Sequence, residues 1–260
     1  MNQDGPVSDS NLGAKSGSEL VLVSVPIGNQ EDLSERAKQT LSGADLIIGE
    51  EARVVAPLLK KIGVQKEFLL LNEHTDSAGL QILLSEVFRH NVTVLVCDSG
   101  TPGIEDPGRD LVKAVLNRGG KVRSVPGPAA LVVALSISGF VTSPFTFGGF
   151  LSRDSAERKR QIKDYLRLGH ALVFYETPYR YKAVLHDLAE VLRELSEERK
   201  IFLGLDLTSE DEIQIRGSAK EVLAKVEELP KKNPVIVISE KQAFPATSIR
   251  SKPKHRREKR

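Results

Sequence analysis

An α/β architecture in two consecutive units is what this sequence predicts, and three observations predict it. Short apolar runs without polar interruption, such as ELVLVSV from Glu19 and VLVC from Val94, alternate with amphipathic stretches of helical period. Such uninterrupted runs suit strands covered on both faces, so the first half is expected to hold a mainly parallel sheet with helices on either side. The alternation pauses at SGFVTSPFTFGGF, where Gly139, Pro144, Gly148 and Gly149 crowd together, and then resumes. In the resumed part KIFLGLDL and EIQIRG follow one another with no helix between them, which requires an antiparallel pair and hence a mixed second sheet. Expected boundaries are a flexible tail over 1–18, an N-terminal α/β domain over 19–142, a C-terminal α/β domain over 143–240 and a basic tail over 241–260.

Each element has a local reason. After the first strand, Leu33, Ala37 and Leu41 recur every fourth residue and give LSERAKQTLSG one apolar helical face, with Gly43 as a stop. Strand-like ADLIIGE, helical RVVAPLLKKIG and strand-like KEFLLL follow, then a helix from Ser77 to Arg89 and the strand into Cys97. A helix from about Asp110 to Arg118, the strand KVRSV and a helix beginning near Pro128 complete the first half. The second half reads as helix 156–168, strand ALVFYE, helix 179–195, the two adjacent strands, helix 220–228 and strand PVIVISE.

Composition narrows the classes. With 260 residues, 40% hydrophobic and 28% charged, the chain is long enough to bury substantial cores. Cys97 is the one cysteine, so no internal disulfide exists, and the reading is a reducing, cytoplasmic setting. No apolar run approaches the roughly 18 residues of a membrane span, and the polar start lacks the basic-then-apolar order of a secretory signal. The net charge of +2 is uneven: residues 250–260 carry seven Lys and Arg against Glu258, a net of +6. That stretch is either a solvated segment or a phosphate-neutralising contact to nucleic acid.

Three strand exits are rich in glycine and proline: VPIGN at 25–29, CDSGTPGIEDPG at 97–108 and VPGPAALVVALSISG at 125–139. They lack the G-x-G-x-x-G and G-x-x-x-x-G-K-[ST] spacings of nucleotide-binding loops, and the five histidines show no metal-ligand spacing with Cys97. Cys97 itself ends an apolar run and reads as core. In an open α/β sheet the carboxyl ends of the strands line one crevice, so three such loops can converge on a single ligand.

The motifs PIGN with Asp32, Leu33, Arg36 and Ala37, D-x-G-T-P-x-I-x-D-P-G, V-P-G-P with A-L-S-x-S-G, and F-Y-E-T-P-x-R at 174–180 resemble the tetrapyrrole methylase superfamily of S-adenosylmethionine-dependent methyltransferases over about residues 19–240. Within it the chain is most similar to the branch that 2′-O-methylates a cytidine ribose in small-subunit (16S) ribosomal RNA. The resemblance implies two α/β domains with S-adenosyl-L-methionine in the cleft between them, no metal, a homodimer, and ribosomal RNA or the small ribosomal subunit as partner. By similarity Pro26, Ile27, Gly28, Gly100, Thr101, Ile104, Ala129, Ala130, Tyr175 and Glu176 lie at the cofactor. Removing a proton from a ribose hydroxyl calls for a positioned carboxylate or histidine, so Glu50, Asp98 and Glu176 are candidates, with Arg53 for a phosphate and His74 a weaker choice. For each carboxylate a helix cap or an ion-pair partner is the competing role.

The chain departs from the branch at the presumed substrate side. E-D-T-R reads Glu50, Glu51, Ala52, Arg53; H-E-H-N reads Asn72, Glu73, His74, Thr75. R-E-L-T-K reads Leu205, Asp206, Leu207, Thr208, Ser209, without either cation, and K-G-E reads Lys232, Asn233, Pro234. The cations Arg153, Arg158, Lys159, Arg160, Lys163 and Arg167 offer a replacement phosphate surface or a solvated helix face. A small-molecule, tetrapyrrole-type methylase and a non-catalytic RNA-binding relative stay open beside the ribosomal RNA reading.

Overall fold

The computed structural model describes residues 17–241, so nearly all of the expected tail over 1–18 and the basic residues 250–260 lie outside the described residues. The first half runs β1 (Glu19–Val23), α1 (Glu35–Gly43), β2 (Leu46–Gly49), α2 (Ala52–Lys61), β3 (Phe68–Leu70), α3 (Ser77–Arg89), β4 (Val92–Leu95), α4 (Gly108–Asn117) and β5 (Lys121–Val125). Its strands form one parallel sheet in the order β3-β2-β4-β1-β5. Side chains alternate across it as the two-residue period demands. Val21, Ile47 and Val94 face a core with Leu41, Val55 and Leu59 of α1 and α2, whereas Leu20, Ile48 and Leu95 face Leu84, Leu111 and Val115 of α3 and α4. Complete burial of a residue such as Leu41 contributes about 1.5–3 kcal/mol.

That strand order has a consequence for function. The chain leaves β1 toward α1 on one face and leaves the adjacent β4 toward α4 on the other. The loops after β1 and β4 therefore part in opposite directions and open a crevice at the switch point of the sheet.

The second half comprises α5 (Ala130–Ser138), β6 (Phe145–Phe150), α6 (Ser155–Leu166), β7 (Ala171–Tyr175), α7 (Tyr181–Glu194), β8 (Lys200–Leu205), β9 (Ile213–Ser218), α8 (Ala219–Val226) and β10 (Pro234–Ile238). The sheet order is β6-β7-β10-β8-β9, with β6 parallel to β7 and the remaining pairs antiparallel, so the sheet is mixed as expected. Helices α6, α7 and α8 cover one face through Ile162, Leu185, Leu188 and Val222. The other face receives α5, whose Leu131, Ala134 and Leu135 pack on Val173, Phe202, Val235 and Val237.

Strand β6 is a correction, because the glycine pair in FTFGGF reads as a break in the chain. At a sheet edge the break becomes a bulge: the register with β7 shifts between Phe147 and Phe150, and Gly149 takes a φ of +62°.

Candidate active site

The three glycine loops meet. The Val25 amide donates to the Gly100 carbonyl at 2.8 Å, the Thr101 hydroxyl donates to the Pro128 carbonyl at 3.0 Å, and the Ser24 and Thr101 hydroxyls lie 2.9 Å apart. Gly100 and Gly103 hold φ angles of +82° and +89°, in the region that favours glycine. Asp106 ties the same turn, accepting from the Gly103 amide and the Gly108 amide, each at 2.7 Å. Asp98 holds the next strand exit: its Oδ1 accepts from the Glu51 amide at 3.1 Å, while its own amide donates to Glu50 Oε2 at 3.4 Å.

Beneath these loops lies a cavity of about 520 Å³, walled on one side by the parallel sheet and on the other by the mixed sheet. Of the expected cofactor contacts, Ile27, Gly100, Thr101, Ile104, Ala129, Ala130, Tyr175 and Glu176 line it, as do the candidates Glu50, Arg53 and Asp98. Pro26 and Gly28 do not. Pro26 is buried, and a Cβ on Gly28 would come within 2.4 Å of the Leu207 carbonyl. Gly28 is thus a seam between the halves, reinforced by the Asn29 amide donating to Thr208 Oγ1 at 3.0 Å. His74 is exposed and outside the cavity, in a turn where the Asn72 side chain accepts from the His74 amide at 3.1 Å.

The sequence did not single out Asp106, Glu105, Phe150 or Val235 as lining residues. For Asp106 a signal existed, since an Asp before Pro-Gly in a glycine turn can cap neighbouring amides. Cys97 is buried as expected but also reaches the cavity wall; burial pushes its thiol well above the ordinary range, which leaves it inert. A larger hollow of about 840 Å³ lies between α7 and α8, at the amino end of β8 and the carboxyl end of β9, and none of the glycine loops reaches it.

Electrostatics divide the carboxylates. Burial first, then the charge of Asp98, raise the Glu50 carboxyl above the ordinary glutamate value. Burial raises Asp98 and Asp106 as well, opposed in each by backbone amides. Glu176 instead has a wholly buried side chain, with Oε1 accepting from the Thr177 amide at 2.7 Å. Arg180 Nη2 lies 3.1 Å from its Oε2, an ion-pair contact rather than an aligned hydrogen bond, since that oxygen has no hydrogen-bond partner. Tyr175 accepts from the Leu131 amide at 3.1 Å and so caps α5, whose own N-cap, Ala129, has no oxygen to offer. The amino end of α5, with its partial positive charge, opens on the cavity beside Ala129 and Ala130.

The departures separate in space. The 72–75 turn does not line the cavity, whereas Asp206, Leu207, Asn233 and Pro234 form part of its wall. The cations of α6 are mostly neutralised: Arg158 is buried 2.5 Å from Asp187, and Lys159, Arg160, Lys163 and Arg167 pair with Glu190, Glu157, Glu194 and Asp164. These pairs favour an ion-paired helix face over a phosphate surface.

Glycine turns at a switch point, faced by a mixed sheet across a cavity of small-ligand size, define a two-sheet α/β protein with a cavity between its halves. The sequence model of the Tetrapyrrole (Corrin/Porphyrin) Methylases matches residues 19–223, and the chain belongs to that family. It is 57% identical to Ribosomal RNA small subunit methyltransferase I of Leptospira borgpetersenii, over 86% of this chain and 88% of that one. The protein of the same name from Thermotoga maritima is 34% identical over 86% of this chain and 99% of its own length. Among solved structures, uroporphyrin-III C-methyl transferase from Thermus thermophilus, complexed with S-adenyl homocysteine, matches with a TM-score of 0.61 at 17% identity, over 86% of this chain and 98% of that one. That last likeness speaks to the fold.

Proposed function

We propose that the protein is an S-adenosylmethionine-dependent methyltransferase that 2′-O-methylates a cytidine ribose of small-subunit ribosomal RNA. The observation that carries this reading is the near full-length likeness to relatives named for methylating that RNA. The cavity suits the cofactor: its volume is in the range of small-ligand sites, and it is lined by apolar Ile27, Ala129, Leu207 and Val235 together with Gly100 and Thr101 of the glycine turn. S-adenosylmethionine, when bound, supplies an electrophilic methyl on sulfonium.

The residues of the chain then have three tasks. Gly100, Thr101, Ala129, Ala130 and Tyr175 hold the cofactor against the switch point, and the orientation so imposed supplies up to about 7–11 kcal/mol of barrier lowering in favourable systems. Glu50, raised by burial and by Asp98, accepts the ribose hydroxyl proton. Asp98 and Asp106 hold the loops that carry these groups. In this reading the molecule is a cytoplasmic homodimer of two-domain subunits, an assembly supported by the family resemblance.

The test is to incubate the protein with labelled S-adenosylmethionine and undermethylated small subunits and to map the product. Label on a cytidine 2′ oxygen is expected; label on a base or on protein, or none, sinks the proposal.

A further inference from the structure

Three cations at or next to the cavity wall are paired: Arg53 with Glu51, Arg180 with the lining residue Glu176 and Lys232 with the lining residue Asp206. Lys231 forms no ion pair among the described residues, and its Nζ lies 4.8 Å from the centroid of the Tyr179 ring. Tyr179 is 78% exposed, more than any other large hydrophobic side chain among the described residues. The other tyrosines, at 165, 175 and 181, are buried or half-buried.

Position gives this pair its meaning. Tyr179 lies in the connection after β7 and Lys231 in the connection before β10, and those strands pair antiparallel with Val235 opposite Tyr175. The two connections therefore run side by side, and the Tyr181 hydroxyl ties them by donating to the Pro230 carbonyl at 2.9 Å. Glu176 in the first connection and Asn233 in the second line the cavity, so the ring and the ammonium stand a few residues from it on two adjoining loops.

An exposed ring with an unpaired cation over one face matches the way unpaired nucleotides are held. The open face stacks on a base, and the cation meets a phosphate. Leu205, buried in the core beneath α6, α7 and α8, and Ser209 stand where the resemblance leads one to expect cations. Lys231 offers a cation on the neighbouring loop.

Resting on the ribosomal RNA reading above, we propose that Tyr179 and Lys231 form a stacking platform for an unpaired base of single-stranded RNA next to the target nucleotide. The ring takes the base on its open face, and the Lys231 ammonium takes the adjoining phosphate.

Two readouts on the full chain test this. Equilibrium binding of a short fluorescent single-stranded RNA is expected to weaken about 5- to 150-fold in Tyr179→Ala, the range of a lost base–aromatic stack, and to be rescued by Tyr179→Phe. Lys231→Ala is expected to reduce the slope of log affinity against log salt by about 0.7, one phosphate on a single strand. In methylation of undermethylated small subunits the Tyr179→Ala loss should appear in KM for the subunits rather than in kcat, with S-adenosylmethionine affinity and circular dichroism confirming the fold. Unchanged RNA affinity and KM in Tyr179→Ala overturn the platform even if the wild type methylates RNA. A wild type that binds the oligonucleotide through Tyr179 yet transfers no methyl overturns the methylase reading and leaves the platform standing.

Discussion

Glu50 and Glu176 occupy matching places, each just past the carboxyl end of a strand and each on the wall of the same cavity, yet they are held in opposite electrostatic settings. Glu176 is sealed from solvent against Arg180, whose guanidinium also donates to the Leu151 and Ser152 carbonyls at 2.7 and 3.1 Å. Glu50 has no cation partner among the described residues, and the charge that acts on it most is that of Asp98. Four positions after Glu176 the chain places Arg180, whereas four positions after Glu50 it places Val54. Arg53, three positions on, turns to Glu51 at the surface instead. A carboxylate with its counter-ion four residues away in the same turn is architecture; a carboxylate among carboxylates is suited to carry a proton.

The largest effect expected from this contrast is at Glu50. Glu50→Gln should lower kcat by about 100- to 10,000-fold, the range for a lost general base, with the fold intact by circular dichroism. The sign of the pH dependence follows from the raised carboxyl. Its base form accumulates only as pH rises through a value above that of an ordinary glutamate, so the rate should climb with pH there, and the variant should lack that limb. If Glu176→Gln cost more turnover than Glu50→Gln at equal stability, the contrast would be reversed.

Next in size is the buried pair. Arg180→Met leaves Glu176 sealed without its cation, and urea unfolding should show a loss of about 3–5 kcal/mol. Adding Glu176→Gln to that variant removes the stranded charge and should recover part of the loss; no recovery would mean that Arg180 acts through the Leu151 and Ser152 carbonyls alone.

The smallest effect concerns the residue beside Glu176. Tyr175→Phe removes the hydroxyl that caps α5 and should cost about 0.5–2 kcal/mol, read by thermal unfolding. A stability unchanged by that substitution would mean that water caps the helix equally well.

Much of this contrast is legible in the chain itself. ALVFYE and ADLIIGE each put a glutamate at a strand end, and Arg180 follows Glu176 by only four residues in a turn. What was not legible was the company Glu50 keeps, because Asp98 is 48 residues away and meets it only where β4 lies beside β2. Helix α5 makes the same point: ALVVALSIS is apolar all round, so no period marks an inward face, and contact with the second sheet chooses it. Gly28 is a similar case, a glycine that serves the Leu207 approach across the seam.

The sequence by itself determined every element but β6, the three glycine turns and the family to which they are similar. All of these rest on rules that act within a few residues: period, backbone freedom and hydrogen bonding of turns. The strand order β3-β2-β4-β1-β5, the union of the turns at its switch point and the sharing of the cavity between two sheets were decided by the tertiary structure alone. Strand pairing is specified by burial and hydrogen bonding between distant segments, and no local pattern encodes which apolar run will lie beside which.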